Sequence, residues 1–336
     1  MYGAILGDII GGRFEYIDEV NSKSKEFSLF TKKSHYTDDT VMTIAVAETL
    51  MSVSGEEAED VIIAKLVPSL KKWGKRYPHV DYGYRFYKWI QNPDPKPYES
   101  YGNGSAMRVS SAAWLYDTLK VTRRIARLTA MITHNHPEGI KGAEAIASAI
   151  YLARTGHSKE KIKDYILKTF GYDLSRTCDQ IRPAYHYVAT CQGIVPEAIT
   201  AFLEGKDFED VVRNAVSLGG KSDTLACIAG SIAEAYFGVP EELKEECRNR
   251  LPNDMLAVLD SFDKVKKEQV SRIQVTSESK EEGEKEEQAA KQTREKEDGG
   301  QKEKEDSPIF HATFTYLPGK RLTEGADFAR MCRISI

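Results

Sequence analysis

Several things are scarce in this 336-residue chain, and each scarcity excludes a class of protein. There is no basic surplus: 51 acidic side chains stand against 47 basic ones, a formal net charge of −4. The chain therefore lacks the positive field with which proteins track nucleic-acid phosphates. Cysteine is sparse and odd in number, with Cys178, Cys191, Cys227, Cys247 and Cys332 far apart. That spacing yields neither a disulfide framework nor a thiolate zinc site, and it fits a reducing cytoplasm. Long apolar runs are also missing, since nothing approaches the roughly 18 residues that cross a bilayer. The apolar opening Met1-Tyr2-Gly3-Ala4-Ile5-Leu6-Gly7-Asp8 has no basic leader and is broken by Asp8. The expectation is a soluble cytoplasmic monomer with no nucleic-acid and no membrane partner.

What is present is helix. Apolar residues recur at three- and four-residue spacing over 41–53, 56–73, 105–116, 121–132, 138–154, 195–204, 208–217, 224–237 and 241–250, and no β-hairpin signal of comparable strength appears. Pro137 suits a first helical turn, Gly205 and Gly238 stand where helices should stop, and Pro240 follows. With 41% hydrophobic residues, the pattern predicts a compact all-α domain of about ten or more helices. Small residues line one face in Gly142, Ala145 and Ala149, and again in Ala226, Ala229, Gly230 and Ala233, so those helix axes should approach closely.

The composition breaks near Thr276. Residues 276–307 carry twelve acidic and seven basic side chains, with Ala289 and Ala290 as the only apolar ones. Such a segment buries too little surface to offset its ordering entropy and reads as a disordered, charged tether. The organisation expected is a helical domain over 1–265, a tether over 266–307 and a short C-terminal segment over 308–336. That last segment holds a strand-like run at 309–316 and is too small for its own core.

Five polar motifs punctuate the helical pattern. Tyr36-Thr37-Asp38-Asp39-Thr40 stands immediately before a helix. Thr37 or Asp38 there would serve as an N-cap, yet two adjacent carboxylates repel, and a helix dipole relieves only about 0.3–1 kcal/mol of that. A second helix start, Gly219-Gly220-Lys221-Ser222-Asp223-Thr224, presents the same Asp-Thr pair: Asp39-Thr40 with Ile44-Ala45 matches Asp223-Thr224 with Ile228-Ala229. If the two N-termini face each other, their oxygens form a hard environment suited to Mg²⁺, Mn²⁺ or Ca²⁺ and not to zinc.

The glycines of Gly7-Asp8-Ile9-Ile10-Gly11-Gly12-Arg13-Phe14-Glu15 imitate a phosphate loop without its Gly-Lys-Ser/Thr. Glu15 is the candidate there, as a carboxylate that handles protons or aligns water. Ser100-Tyr101-Gly102-Asn103-Gly104-Ser105-Ala106-Met107-Arg108 is a glycine-bracketed turn. It reads either as a plain turn with an N-cap or as a cradle whose N–H groups hold a diphosphate. In Thr133-His134-Asn135-His136-Pro137-Glu138 the two histidines have no third soft ligand for zinc, and His134 reads as a residue at a cleft edge.

In this order the segments resemble the ADP-ribosylglycohydrolase family, of the dinitrogenase-reductase-activating glycohydrolase type. The resemblance runs from about Met1 to Leu259 and is carried by Tyr36 to Thr40 and Gly102 to Arg108. Thr133 to Gly139 and Cys191-Gln192-Gly193-Ile194-Val195-Pro196-Glu197-Ala198 also carry it. It implies an orthogonal helical bundle with two Mg²⁺ or Mn²⁺ ions at the bottom of a cleft. The implied activity is hydrolysis of the bond between C1″ of ADP-ribose and a protein side chain, arginine or serine, or of a related ADP-ribosyl small molecule.

Carried over, the metal ligands are Thr37, Asp38, Asp39, Asp223 and Thr224. The catalytic carboxylates are Glu15, Asp38 and Asp39, and the substrate is held by Ser100, Tyr101, Gly102, Asn103, Gly104, Ser105 and His134. Such a bond breaks through an oxocarbenium-like state that needs oriented ribose hydroxyls and a polarised water.

One departure stands out. Where the family has Asp at the first position of its second metal motif, this chain has Lys221. At about 4 Å and an effective dielectric near 20, each unit of like charge costs roughly 4 kcal/mol. Three readings follow: Lys221 swings out to solvent and leaves a weakened site, it takes the place of one of the two ions, or it ends metal binding. The second and third open an alternative function, a catalytically degenerate ADP-ribose binding module.

Overall fold

The computed structural model describes residues 1–15 and 23–268, and the described chain is helical, with no strand and a single isolated bridge between Gly102 and Thr190. The tether from 269 onward, the strand-like run at 309–316 and Cys332 lie outside the described residues. The last described helix spans 253–268. It therefore takes in the first residues of the expected tether, and Lys266 Nζ donates to Glu234 at 3.2 Å. Among the described residues no helix is long and apolar enough to cross a membrane. Cys178, Cys191, Cys227 and Cys247 are buried free thiols.

Two helices form the centre of the fold. Tyr2–Gly11 has every residue buried, and Ser222–Phe237 is buried from Ser222 to Glu234. Their mutual contact is the most extensive of any helix pair among the described residues. Gly3, Gly7 and Gly11 recur every four residues and form one ridge. A Cβ at Gly7 would stand 2.6 Å from Cys227 N and closer still to the Ala226 carbonyl, while one at Gly11 would stand 2.7 Å from the Ser222 carbonyl carbon. The glycines that imitate a phosphate loop thus serve backbone-to-backbone packing, and the small face of Ala226 and Gly230 meets them. Glu234 Oε2 accepts from Gly3 N at 2.8 Å, which satisfies one orphan donor of the first turn. Gly7→Ala should cost at least about 2 kcal/mol, because no rotamer relieves a clash between two backbones. An unchanged melting temperature would contradict this packing.

Around this pair stand Asp38–Leu50, Glu59–Arg76, Leu119–Met131, Pro137–Arg154, Cys191–Glu204 and Phe208–Ser217. Pro137 occupies the first turn as expected. Gly238 closes Ser222–Phe237 with φ +79°.

The expected helix over 105–116 is not continuous. One turn at Gly104–Met107 and a 3₁₀ turn at Ser110–Ala113 replace it, and Arg108 at the junction sends its side chain inward to Thr129 and Thr133. Helices at Tyr84–Gln91, Lys159–Phe170 and Cys178–Ile181 add to those expected. Tyr2–Gly11 escapes a periodicity reading because it is apolar on every side, as a central helix should be.

Candidate active site

Three helix ends meet beneath one cleft. Thr37 caps Asp38–Leu50, its Oγ1 accepting from Asp39 N at 3.2 Å, so the capping role read from the sequence is real. The same hydroxyl donates to Asp8 Oδ1 at 2.7 Å. Asp8, from Tyr2–Gly11, also accepts from Thr37 N at 2.9 Å, Thr40 N at 3.0 Å and Thr40 Oγ1 at 2.5 Å. It caps the Asp38 helix from outside and fixes that helix to the first one. The second Asp-Thr start does face the first: Thr224 Oγ1 donates to Asp39 Oδ2 at 3.0 Å. Asp8, Asp39 and Asp223 present oxygens that all lie within 4.8 Å of one another.

The electrostatics follow from this crowding. Burial first, then Asp223, pushes the Asp8 carboxyl up to about 6 against the bonds from Thr40 and Thr37. Burial also pushes Asp38 up to about 8 despite Lys221, with Asp223, Asp8 and Glu15 adding to the rise. Asp39 is driven well above its ordinary value by burial and then by Asp223, Asp8 and Asp38. Meanwhile Asp38 Oδ1, Asp39 Oδ1 and Asp223 Oδ1 are buried without any hydrogen-bond partner. Unpartnered hard oxygens in a crowd of like charge are what a divalent cation would satisfy, so the residues present fit one.

The geometry of Lys221 excludes the first of the three readings of its position. Its Nζ donates to Glu15 Oε1 at 2.8 Å and to Asp223 Oδ2 at 2.9 Å, and its side chain is only 10% exposed. The side chain has turned inward and not to solvent. Burial opposes its charge, but Asp223, Asp39, Asp38 and Glu15 together raise its pKa above the ordinary value, so it stays an ammonium. Gly220, at φ +65°, makes the approach, and a Cβ there would meet the His186 carbonyl oxygen at 2.8 Å.

Above this cluster lies a cleft of 430 Å³, within the size range of small-molecule sites. Glu15, Asp38 and Lys221 form part of its wall, and Ser100, Gly102, Asn103, Gly104, Arg108 and His134 form another. The turn is tied down by the segment before Cys191: Asn103 N donates to Ala189 O at 2.9 Å. Ser100 Oγ accepts from Gly102 N at 3.1 Å. Two N–H groups of the expected diphosphate cradle are therefore already engaged.

Two expected substrate contacts sit elsewhere. Ser105 is fully buried and donates to Gly139 O at 2.7 Å, while Tyr101 is 47% exposed and packs edge-on against His136 outside the cavity wall.

His134 is buried, with Nδ1 at 2.7 Å from Thr133 Oγ1. Burial, and then the Arg108 and Arg85 cations, hold its pKa well below 6.5. Because the folded value is depressed, the unfolded chain binds the extra proton below pH 6.5, and stability should fall as the pH drops through that range. The expected slope from this one group is up to about 1.4 kcal/mol per pH unit. Urea unfolding at pH 5 and 6.5 should show the slope reduced in His134→Gln, and equal slopes would mean that His134 titrates normally.

Three residues of the site carried no role in the sequence reading. Asp8 was legible as the one charged residue in an otherwise apolar decapeptide. Arg108 was visible only as the end of a motif. Arg85, which donates to Tyr98 O and lies over that ring at 4.8 Å, sits in a region of no distinctive pattern.

Fold and cleft together define a class: all-helical proteins whose buried carboxylates could hold a hard cation beside a polar ligand. Comparison with known proteins narrows it. A family model described as ADP-ribosylglycohydrolase matches residues 1–273, and the chain belongs to that family.

The chain is similar to ADP-ribosylhydrolase ARH3 of Mus musculus, 29% identical over 330 residues, which cover 76% of this chain and 88% of that protein. ADP-ribosylarginine hydrolase Tri1 of Pseudomonas putida (strain GB-1) is 23% identical over 270 residues, 71% of this chain and 70% of that one. A solved structure titled ADP-ribosylglycohydrolase-related protein complex superimposes with a TM-score of 0.55 at 23% identity, covering 79% of this chain and 92% of the other. At that identity it shows the shared fold alone.

Proposed function

We propose that this protein hydrolyses the glycosidic bond between ADP-ribose and an arginine or serine side chain, or a related ADP-ribosyl conjugate, in a reducing cytoplasm. The observation that carries the reading is the joining of two chemistries in one cleft. Glu15 and Asp38 stand on its wall above the buried carboxylate cluster, and Arg85 and Arg108 stand on the same cavity's wall beside His134. No carboxylate forms an ion pair with either arginine among the described residues, which leaves their charge for an anionic ligand such as a diphosphate.

A divalent ion held by Asp39 and Asp223 would orient ribose hydroxyls and polarise a water. The chain's own residues do the rest. Water adds to C1″ as the bond to the side-chain nitrogen or oxygen breaks, one proton passes to a carboxylate, and the leaving group takes one up. Glu15 suits that transfer because burial and Asp223 push its carboxyl up to about 7, with Lys221 opposing. Asp38 lies beside it on the cleft wall, and its Oδ1 is unpartnered.

Lys221, bridging Glu15 and Asp223, favours a second reading in which the cleft binds ADP-ribose without turning over a conjugate. ADP-ribosyl-arginine and ADP-ribosyl-serine peptides, incubated with the protein and Mg²⁺ or Mn²⁺, separate the two. Released ADP-ribose supports the hydrolase. Calorimetric binding of ADP-ribose with no release supports the binding module, and absence of both ends both readings.

A further inference from the structure

The site holds one cation that no solution needs to supply. Lys221 Nζ lies at 2.8 Å from Glu15 Oε1 and 2.9 Å from Asp223 Oδ2, and those two acceptor side chains are 1% and 0% exposed. Asp39 Oδ1 and Asp223 Oδ1 are buried and unpartnered, as are Asp38 Oδ1 and Glu15 Oε2, and the first two belong to carboxylates that converge with Asp8. Asp8 itself is largely saturated by Thr37 and Thr40, so it braces the cluster while Asp39 and Asp223 keep an open oxygen each. One position is thus filled by an ammonium, and one set of hard donors remains open.

We propose that the Lys221 ammonium is the protein's built-in second cation, and that the site accordingly takes up a single divalent ion at Asp39 and Asp223 and not a pair. A second ion would compete with Nζ for the Glu15 and Asp223 carboxylates. It would either sit beside a fixed positive charge or expel a buried ammonium from both partners. Four buried carboxylates, Asp223, Asp39, Asp38 and Glu15, act on the ammonium. Their attraction holds it as an ammonium. The inference rests on the reading that the cluster holds a divalent cation.

The test is the stoichiometry and magnetic signature of Mn²⁺ in the full chain after EDTA treatment, read by calorimetry and electron paramagnetic resonance. Wild type should bind one Mn²⁺ per chain with the hyperfine pattern of an isolated ion. Lys221→Asp, which exchanges the ammonium for a carboxylate, should bind two with an exchange-coupled signal. Two coupled ions in wild type, no bound ion in wild type, or a single ion in Lys221→Asp overturns the proposal. Should that variant fail to fold, the wild-type count alone decides. Two ions in wild type together with ADP-ribose release would overturn the inference and leave the hydrolase standing. One ion without release would do the reverse.

Discussion

Asp39→Asn should lower ADP-ribose release by at least about 10³-fold while leaving the fold intact, and it should make the EDTA-treated protein more stable than wild type. The two effects share one cause. Asp39 is fully buried and crowded by Asp8, Asp38 and Asp223, so without a cation its charge is a liability, and removing it relieves repulsion. With a cation the same charge is the attraction that holds it, and an amide of identical shape offers only a weaker dipole. Thr224 Oγ1, which donates to Asp39 Oδ2 at 3.0 Å, can still donate to the amide oxygen, so the helix starts stay in register. The measurements are turnover with saturating Mn²⁺ and melting temperature in EDTA. Unchanged turnover would remove Asp39 from the machinery. A lower melting temperature in EDTA would show that the carboxylate is a structural acceptor and not a crowded ligand.

Arg108→Met should weaken ADP-ribose binding by at least about 30-fold with little loss of stability, whereas Arg108→Ala should lose roughly 2–4 kcal/mol of stability as well. Arg108 is fully buried. Its Nη2 donates to Thr129 O at 2.7 Å and Thr133 Oγ1 at 2.8 Å, but Nε and Nη1 have no partner. Burial lowers the guanidinium to about 10, which still leaves it charged at neutral pH.

A buried charge with unsatisfied donors costs free energy that a fold would ordinarily avoid. Its position on the cleft wall suggests the compensation, an anionic group that arrives with the ligand. Methionine fills similar space without a charge to desolvate, so it separates the electrostatic role from the packing role. ADP-ribose binding by Arg108→Met at wild-type affinity would show that the guanidinium serves only the packing between the Gly104–Met107 turn and Leu119–Met131.

The sequence by itself determined the helical class, the close-packing faces, a helix start capped by Thr37 or Asp38, and the recurrence of its Asp-Thr pair at a second helix start. It also marked Lys221 as the residue that breaks the family pattern. These are local properties, readable from apolar spacing, side-chain type and motif order. What it could not decide depends on which distant atoms share a volume.

The ridge of Gly3, Gly7 and Gly11 has meaning only against Ala226 and Gly230, and the role of Asp8 appears only when Thr37 and Thr40 close on it. Arg108, at the break in the expected helix over 105–116, finds its acceptors on Thr129 and Thr133, which only the fold brings near. Ser105 turns to Gly139 and away from the cleft for the same reason, since a buried hydroxyl takes the acceptor that packing offers it. Lys221 shows the division most sharply. Its identity was plain in the sequence, but whether a long flexible ammonium turns out to water or in to Glu15 and Asp223 is set by the summed field of carboxylates from three separate helix ends, and only the assembled fold creates that field.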